Sequence, residues 1–130
     1  MSQERVNVIR GVYEQWGAGD FEAAVGLFDP RVLLVMGPGF PDAGTYVGPE
    51  GVAAYTRGFL EPWEHITIEG EQFDDAGDTV VVRVRQRGTG SGSGAVTEFR
   101  YFHVWSFRGG KVIRFETFRE RADALAAAGL

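Results

Sequence analysis

Apolar residues near the start of the chain recur at steps of three and four, which is the period of an amphipathic helix. The residues on this period are Val6, Ile9, Val12, Tyr13 and Trp16. Gly17-Ala18-Gly19 predicts the end of this helix. Asp20 can cap a second, short helix over "FEAAVGLF", because its carboxylate accepts from the free backbone donors of a first turn, and Asp29-Pro30 ends that helix.

The next segment changes from a strand pattern to a helix pattern. "RVLLVM" predicts a buried strand, and "GPGFPDAGTYVG" predicts a loop because it is rich in glycine and proline. Gly48-Pro49-Glu50 predicts the start of a third helix, since proline is tolerated at the first helical position. Val52, Tyr55 and Phe59 then lie on one face of that helix.

The rest of the chain is mostly β in pattern. Four segments are rich in β-branched and aromatic residues, and they span 65–73, 79–87, 96–107 and 111–118. The turns between them are "DDAGD", a glycine-rich stretch and Arg108-Gly109-Gly110. "DALAAAGL" can form one or two helical turns at the end.

The glycine-rich stretch raises the question of a phosphate site. Gly90, Gly92 and Ala95 fit the loose dinucleotide pattern G-x-G-x-x-A. That pattern requires a helix after the glycines, whereas "AVTEFRYFHVW" follows here and has the pattern of a strand. Gly110-Lys111 is followed by Val112 rather than by serine or threonine, so a P-loop is excluded. The stretch therefore predicts a hairpin loop.

Side-chain alternation divides the two strands of this hairpin into faces. In 79–87 one face carries Val80, Val82 and Val84, and the other carries Val81, Arg83, Arg85 and Arg87. In 96–107 one face carries Glu98, Arg100, Phe102 and Val104, and the other carries Phe99, Tyr101, His103 and Trp105. Because large side chains lie on both faces, both faces of the sheet must be packed against other parts of the protein. We therefore expect a homodimer through the sheet, with Tyr101, His103 and Trp105 at the interface.

Composition narrows the function classes. The chain has 130 residues, 44% of them hydrophobic, a net charge of −5, two histidines and no cysteine. We expect one domain over residues 1–130. The acidic balance argues against a nucleic-acid binder, and with two isolated histidines and no cysteine we expect no bound transition metal. No cofactor is expected. The chain shows no signal-peptide pattern and no apolar run of membrane-spanning length, so we expect a cytoplasmic protein that does not contact membranes.

The element order and four local signatures resemble a known superfamily. The signatures are "YEQWGAGDFEAAVGLFDPRV", "GPEGVAAYTRGFLEPW", "DAGDTVVVRVRQRG" and "FHVWSFRGGKVIRFETFRER". They are similar to those of nuclear transport factor two, ketosteroid isomerase and the SnoaL polyketide cyclases. The resemblance implies a single SnoaL-like domain over 1–130 with an α+β fold. In that fold, a cystatin-like roll, a strongly bent mixed or antiparallel sheet wraps against three helices of the N-terminal half. The sheet and the helices together form a cone that contains a pocket.

The resemblance does not carry over the acidic catalytic groups of these enzymes. Alignment with ketosteroid isomerase places Val12 at the oxyanion tyrosine, Met36 at the general base and Phe102 at the protonated aspartic acid. Tyr13, beside Val12, is turned away by one helical step of about 100°. The SnoaL cyclase aspartate corresponds to Thr117, whose hydroxyl does not titrate near neutral pH. Steroid isomerisation or cyclisation by those mechanisms is therefore not expected.

What the resemblance implies is an apolar pocket with a few polar groups. Its expected lining is Val12, Trp16, Met36, Tyr55, Phe59, Trp63, Val80, Val82, Val84, Arg100, Phe102, Phe115 and Thr117. Catalytic candidates are Arg100, Tyr55 and His103. Strand alternation places His103 at the dimer interface, but a one-residue error in register would place it in the pocket. Limonene epoxide hydrolase, another relative, works with an Asp-Arg-Asp arrangement, and the nearest imitation here is Glu98 with Arg100, two residues apart on one face of a strand. The alternative is that these two residues are solvated or form cross-strand ion pairs.

Three functions stay open at this point. The first is a pocket protein that binds or transforms a small hydrophobic metabolite such as a polyketide, terpenoid or steroid-like molecule, by isomerase, cyclase or hydrolase chemistry. The second is a non-catalytic ligand carrier. The third is a homodimeric interaction module whose pocket is incidental.

Overall fold

The computed structural model describes residues 2–130, with side chains from residue 3. Its elements are α1 (Ser2–Gly17), a single 3-10 turn (Val25–Leu27), β1 (Phe28–Met36), β2 (Gly44–Val47), α2 (Gly48–Leu60), β3 (Trp63–Asp75), β4 (Thr79–Gly90), β5 (Val96–Arg108), β6 (Lys111–Phe118) and α3 (Arg121–Ala127). None of the helices within residues 2–130 is both long and apolar enough to cross a membrane.

The six strands form one sheet in the order β2-β1-β6-β5-β4-β3. β1 and β6 pair in parallel, and every other neighbouring pair is antiparallel. The predicted α+β class with a curved mixed sheet is confirmed, and the sheet is not closed. Register shifts in β3, β5 and β1 interrupt the ladders, and such bulges increase local twist and bending.

Two local predictions in the first half of the chain need correction. "FEAAVGLF" forms turns that end in the 3-10 turn rather than a helix, and Phe28 already pairs with Val112 of β6. A segment this short cannot offset the cost of helix nucleation, and strand pairing takes its last residue. β2 lies within the predicted loop, because Thr45, Tyr46 and Val47 pair with β1.

The main core lies between the inner face of the sheet and helices α1 and α2. Ile9 of α1, Val32 of β1 and Trp105 of β5 are fully buried in it. On the outer face a smaller cluster joins Val81 of β4 and Val104 of β5 to Ala124 of α3. Helices α1 and α2 therefore pack on the inner face, and α3 covers part of the outer face.

The register of β4 against β5 corrects the prediction that Tyr101, His103 and Trp105 lie at a dimer interface. Val80 pairs with Trp105, Val82 with His103 and Val84 with Tyr101. Directly paired residues point to the same side of a sheet. Tyr101, His103 and Trp105 therefore lie on the inner face with the valines and are not available as a dimer surface. The glycine-rich stretch is a hairpin loop between β4 and β5, as predicted.

Candidate functional site

A cavity of about 240 Å³ lies where the end of α2 approaches β4 and β5, and we call it the front cavity. Its lining residues are Phe40, Pro41, Asp42, Tyr55, Gly58, Phe59, Pro62, Trp63, Gln86, Phe99, Tyr101, His103 and Thr117. Most of this wall is aromatic, and a small number of polar groups interrupt it. This is the usual composition of a small-molecule site.

Trp63 occupies its position in this wall because Gly88 has no side chain. A Cβ atom added at Gly88 would lie 2.5 Å from the Trp63 ring, well inside van der Waals contact. The half-buried Trp63 ring therefore rests directly on the backbone of β4. This contact holds an aromatic side chain at the edge of the front cavity.

His103 is tied to the core by a chain of buried hydrogen bonds. Trp105 Nε1–H donates to Tyr13 Oη over 3.0 Å, and Tyr13 Oη lies 2.6 Å from His103 Nδ1. Indole nitrogen can only donate, so Tyr13 Oη accepts from Trp105. Among the described residues the buried hydroxyl has no hydrogen-bond partner besides Trp105 and His103, so we assign its own proton to the bond with Nδ1, which leaves no buried donor unpaired. His103 then carries its proton on Nε2, which is the ring nitrogen left for a molecule in the cavity.

Burial keeps this histidine neutral. Desolvation lowers the pKa of His103 to about 3, because no charged partner compensates for the loss of water. Burial also raises the pKa of Tyr13 well above its usual value, so the hydroxyl keeps its proton. At neutral pH His103 therefore offers an N–H donor from Nε2 and is a weak base.

A second polar group in the same wall is the Gln86 side chain. Tyr101 Oη donates to Gln86 Oε1 over 2.7 Å, and both side chains are buried. The accepting oxygen is thereby engaged, which leaves the amide N–H₂ as the donor end. Thr117 Oγ1 donates to Met36 Sδ over 3.2 Å at the floor of the cavity.

One carboxylate also lines the front cavity. Asp42 lies in the loop between β1 and β2 and interacts with the Tyr55 hydroxyl. Burial first, and then the negative charge of Asp42, raise the pKa of Tyr55. Tyr55 is therefore a neutral hydroxyl beside a carboxylate, which is an arrangement able to hold or move a proton.

Two further cavities continue inward from the front cavity. The middle cavity, of about 70 Å³, is lined by Trp16, Phe21, Tyr55, Thr56, Phe59, Ile68, Tyr101, His103 and Phe115. The back cavity, of about 630 Å³, is lined by Trp16, Phe21, Glu22, Ala24, Val25, Phe28, Leu34, Pro49, Val52, Ala53, Tyr55, Thr56, Arg57 and Phe115. Trp16 and Phe115 belong to both.

Comparison with known families identifies the domain to which this chain belongs. The SnoaL-like domain model matches residues 9–115. The chain belongs to the SnoaL-like domain family. Among curated proteins no match to this SnoaL-like chain was found.

Solved structures show the same fold. A nuclear-transport-factor-two-like protein of unknown function from Burkholderia pseudomallei is 22% identical, with a TM-score of 0.79 and all of both chains covered. A nuclear-transport-factor-two-like protein from Burkholderia thailandensis is 29% identical, with a TM-score of 0.78 and 96% of each chain covered. TerC, co-crystallized with polyporic acid, is 21% identical, with a TM-score of 0.76, and the match covers 96% of this chain and 98% of TerC.

The structure brings many of the predicted pocket residues of the SnoaL-like chain to the cavities. Those that line at least one cavity are Trp16, Tyr55, Phe59, Trp63, Phe115 and Thr117. Val12, Met36, Val80, Val82 and Val84 are buried in the main core beside them. His103 also lines the front and middle cavities. The sequence left two locations open for His103, the dimer interface and the pocket, and in the structure it lies at the pocket.

Arg100 and Phe102 lie elsewhere, and their predicted placement in the pocket is corrected. Phe102 packs with Val81 and Val104 on the outer face, and Arg100 belongs to the same face of β5. Arg100 Nε donates to Glu71 Oε1 over 2.8 Å. The Arg100 guanidinium thereby holds the pKa of Glu71 below its usual range. The physical reason for the correction is the period of two in a strand, which puts neighbours of His103 on the opposite side.

The alternative interpretation of Glu98 and Arg100 as members of ion pairs is confirmed, although not with one another. Glu98 contacts Arg87 at 3.2 Å and Arg85 at 4.0 Å across the β4–β5 ladder, whereas Arg100 pairs with Glu71. These groups are solvent-accessible on the outer face. They form a surface charge network rather than a catalytic arrangement.

Sequence reasoning missed Tyr13, Asp42, Gln86 and Tyr101 as site residues. Tyr13 was expected to point away from the pocket, but its hydroxyl contacts His103. One signal was present in the sequence: Gln86 follows Val80, Val82 and Val84 on the same strand face, so a polar residue continues an apolar row. Asp42 could not be found, because its loop has no periodic pattern. Among residues 2–130 no group of three or more histidine or acidic side chains could hold a metal ion.

Proposed function

We propose that this chain, as one SnoaL-like domain over residues 1–130, binds a small, largely apolar metabolite with an oxygen acceptor group in the front cavity. The observation that carries this proposal is the buried His103 ring at the cavity wall, whose Nδ1 lies 2.6 Å from Tyr13 Oη. The tautomer assigned above leaves Nε2–H as the donor for a ligand. The expected ligand class is a polyketide, terpenoid or steroid-like molecule that carries a carbonyl or hydroxyl group.

The walls of the front cavity favour a planar or aromatic ligand body. Phe40, Tyr55, Phe59 and Trp63 offer ring faces and edges, and aromatic contacts add to the area that a ligand buries. Gln86 contributes a second donor to orient the oxygen. TerC, a protein of this fold, was co-crystallized with polyporic acid, and a planar or aromatic ligand for the present chain is our proposal.

A binding experiment on a simple probe tests this proposal. The probe is 4-methylacetophenone, and isothermal titration calorimetry measures its affinity. His103→Asn keeps an acceptor near Tyr13 and withdraws the Nε2 donor, so the affinity should fall about fivefold, the value of one hydrogen bond of about 1 kcal/mol. Arg100→Ala is the matched control on the outer face and should leave the affinity within about twofold.

Either of two results would count against the proposal. One is an affinity that stays unchanged in His103→Asn. The other is an equal loss in His103→Asn and Arg100→Ala, since a residue on the far side of the sheet cannot contact the probe.

The carboxylate in the front cavity supports a second candidate function, enolisation of a bound ketone. Asp42 would take the proton from the carbon next to the carbonyl, and the electron pair of that C–H bond would form a C=C bond with the carbonyl carbon. The π pair of the C=O bond would move to the oxygen, and His103 Nε2–H would stabilise the resulting enolate oxygen. This is isomerase- or cyclase-type chemistry. His103 itself is unsuited as the base, because its pKa lies far below neutral pH.

Hydrogen exchange distinguishes this enzyme from a carrier. In D₂O an active protein should speed the incorporation of deuterium into the methyl ketone group of 4-methylacetophenone, as measured by proton NMR. Asp42→Asn should abolish the acceleration and leave binding within about twofold. Binding without any acceleration in the native chain selects the carrier, the alternative that the sequence left open.

The homodimer stays part of the proposal, although through the outer rather than the inner sheet face. Phe102 and Phe118 are only partly buried there, beside the Arg100–Glu71 pair. A second copy could cover this face. A sedimentation mass equal to one chain at micromolar concentration would remove the dimer from the proposal. A cytoplasmic location likewise stays a proposal.

A further inference from the structure

The three cavities follow one another beneath helix α2. The front and middle cavities share Tyr55, Phe59, Tyr101 and His103. The middle and back cavities share Trp16, Phe21, Tyr55, Thr56 and Phe115. At about 70 Å³ the middle cavity is narrow, yet it is larger than the roughly 10–15 Å³ that one water needs. The three cavities are therefore neighbours in a row, and the smallest of them lies at the centre; we call this row the passage.

The helix geometry shows that this passage crosses from one side of α2 to the other. Successive helical residues turn by about 100°. Gly58, which lines the front cavity, and Ala53, which lines the back cavity, are therefore about 140° apart around the helix. Thr56 and Phe59, which line the middle cavity, lie on the remaining arc of about 220°, the side of α2 that also carries the buried Val52. The middle cavity thus lies on the buried side of α2.

Tyr55 is the one residue within 2–130 that lines both the front and the back cavity, and it also lines the middle one. Its ring is held in place on two sides. It stacks on Phe59 at 5.8 Å between ring centroids, and it meets the edge of Tyr46 at 5.2 Å. The hydroxyl interacts with Asp42 at its far end. The ring is therefore a fixed partition rather than a free side chain.

We propose that Tyr55 selects ligands by length, because its ring separates the front cavity from a second, apolar subsite in the back cavity. The proposal rests on the function proposed above. With the ring in place, a ligand whose oxygen meets His103 is confined to the front and middle cavities. Removal of the ring opens the back cavity to an apolar extension of the same ligand.

The lining of the back cavity defines the chemistry of that extension. Phe21, Phe28, Leu34 and Val52 supply apolar surface, and the charged groups Glu22 and Arg57 are exposed side chains at its rim. An alkyl chain or a further hydrocarbon ring fits the apolar part of this wall. Trp16, which also lines the back cavity, has a buried Nε1–H without a hydrogen-bond partner among the described residues, so it is the wall's candidate donor for an acceptor on the extension. The subsite is therefore mainly apolar.

The test compares two probes that differ only in length, 4-methylacetophenone and 4-hexylacetophenone. Calorimetry gives the ratio of their affinities for each folded variant. One further methylene group that becomes buried raises affinity about fourfold. Tyr55→Ala should therefore raise the hexyl-to-methyl ratio at least tenfold over the native chain. Tyr55→Phe keeps the ring and should leave the ratio within about twofold.

A second substitution shows where the added chain lies. Ala53 borders the back cavity and is absent from the walls of the front and middle cavities. Ala53→Trp in the Tyr55→Ala background should occupy part of the back cavity beside α2 and lower the ratio toward the native value. If Tyr55→Ala does not fold by circular dichroism, Tyr55→Val replaces it, because valine keeps a small buried apolar group and still removes the ring.

The possible results separate this inference from the function beneath it. If Tyr55→Ala or Tyr55→Val folds and its hexyl-to-methyl affinity ratio is unchanged, the Tyr55 ring does not separate the two cavities. If the ratio rises and Ala53→Trp does not lower it again, the hexyl chain does not bind in the back cavity. If the native chain fails to bind 4-methylacetophenone, the proposed function is overturned and this inference with it.

Discussion

The buried neutral histidine predicts that the stability of this protein depends on pH between 5 and 7. His103 titrates with a pKa of about 3 in the folded chain and about 6.5 in the unfolded chain. The unfolded state therefore binds more protons as the pH falls below 6.5. The stabilisation is fully present above pH 6.5, and it is lost progressively as the pH falls from 6.5 toward 3.

The two pKa values also set the size of this effect. Between pH 7 and pH 5 the free energy of unfolding should fall by about 2 kcal/mol. The complete loss, at pH values below 3, would be about 5 kcal/mol, because one pKa unit corresponds to 1.36 kcal/mol. Tyr13 and Tyr101 also contact this ring, but burial raises their pKa values, so both stay neutral throughout this range.

Urea denaturation at several pH values between 5 and 7 measures the slope. The native chain should lose stability toward pH 5, whereas His103→Asn should lose most of that dependence because asparagine does not titrate. His65→Asn is the matched control, since it removes the exposed histidine and leaves His103 in place. An unchanged slope in His103→Asn, or a flat profile in the native chain, would refute the assignment of a neutral, desolvated imidazole.

Three further substitutions test the supports of the site. Gly88→Ala should displace the Trp63 ring, because the added Cβ would lie 2.5 Å from it, and should cost about 1–3 kcal/mol of stability with a shift in tryptophan fluorescence. Tyr13→Phe should cost about 2–4 kcal/mol in chemical denaturation, since it leaves buried groups on His103 and Trp105 without a partner. Trp105→Phe should cost about 2–3 kcal/mol, because it removes one hydrogen bond and leaves space in the core.

For each of these three variants a different result would contradict the prediction. Unchanged fluorescence and stability in Gly88→Ala would mean that the tryptophan ring does not rest on β4. Full stability in Tyr13→Phe would mean that the hydroxyl is not the link between histidine and indole. A cost for Trp105→Phe below about 1 kcal/mol would mean that this indole is not packed in the core.

Much of the fold could be predicted from local pattern. The period of α1, the β-branched segments of β3 to β6 and the turn residues between them identify these elements, because a helix or strand must repeat with its own period wherever it is half buried. The predictions were wrong at "FEAAVGLF" and within residues 37–48, where the pattern is short. In such segments pairing with distant strands outweighs local preference.

The sequence by itself determined a cysteine-free, acidic α+β chain of SnoaL-like type with an apolar row on β4 and aromatic residues on both faces of β5. Only the tertiary structure decided which β5 face the helices cover. The reason is that a strand alternates its side chains with a period of two, so the choice between Phe102 and His103 as the inward residue depends entirely on the register with β4. The same register joins Tyr13 to His103 across 90 positions of sequence, a contact that no local pattern contains.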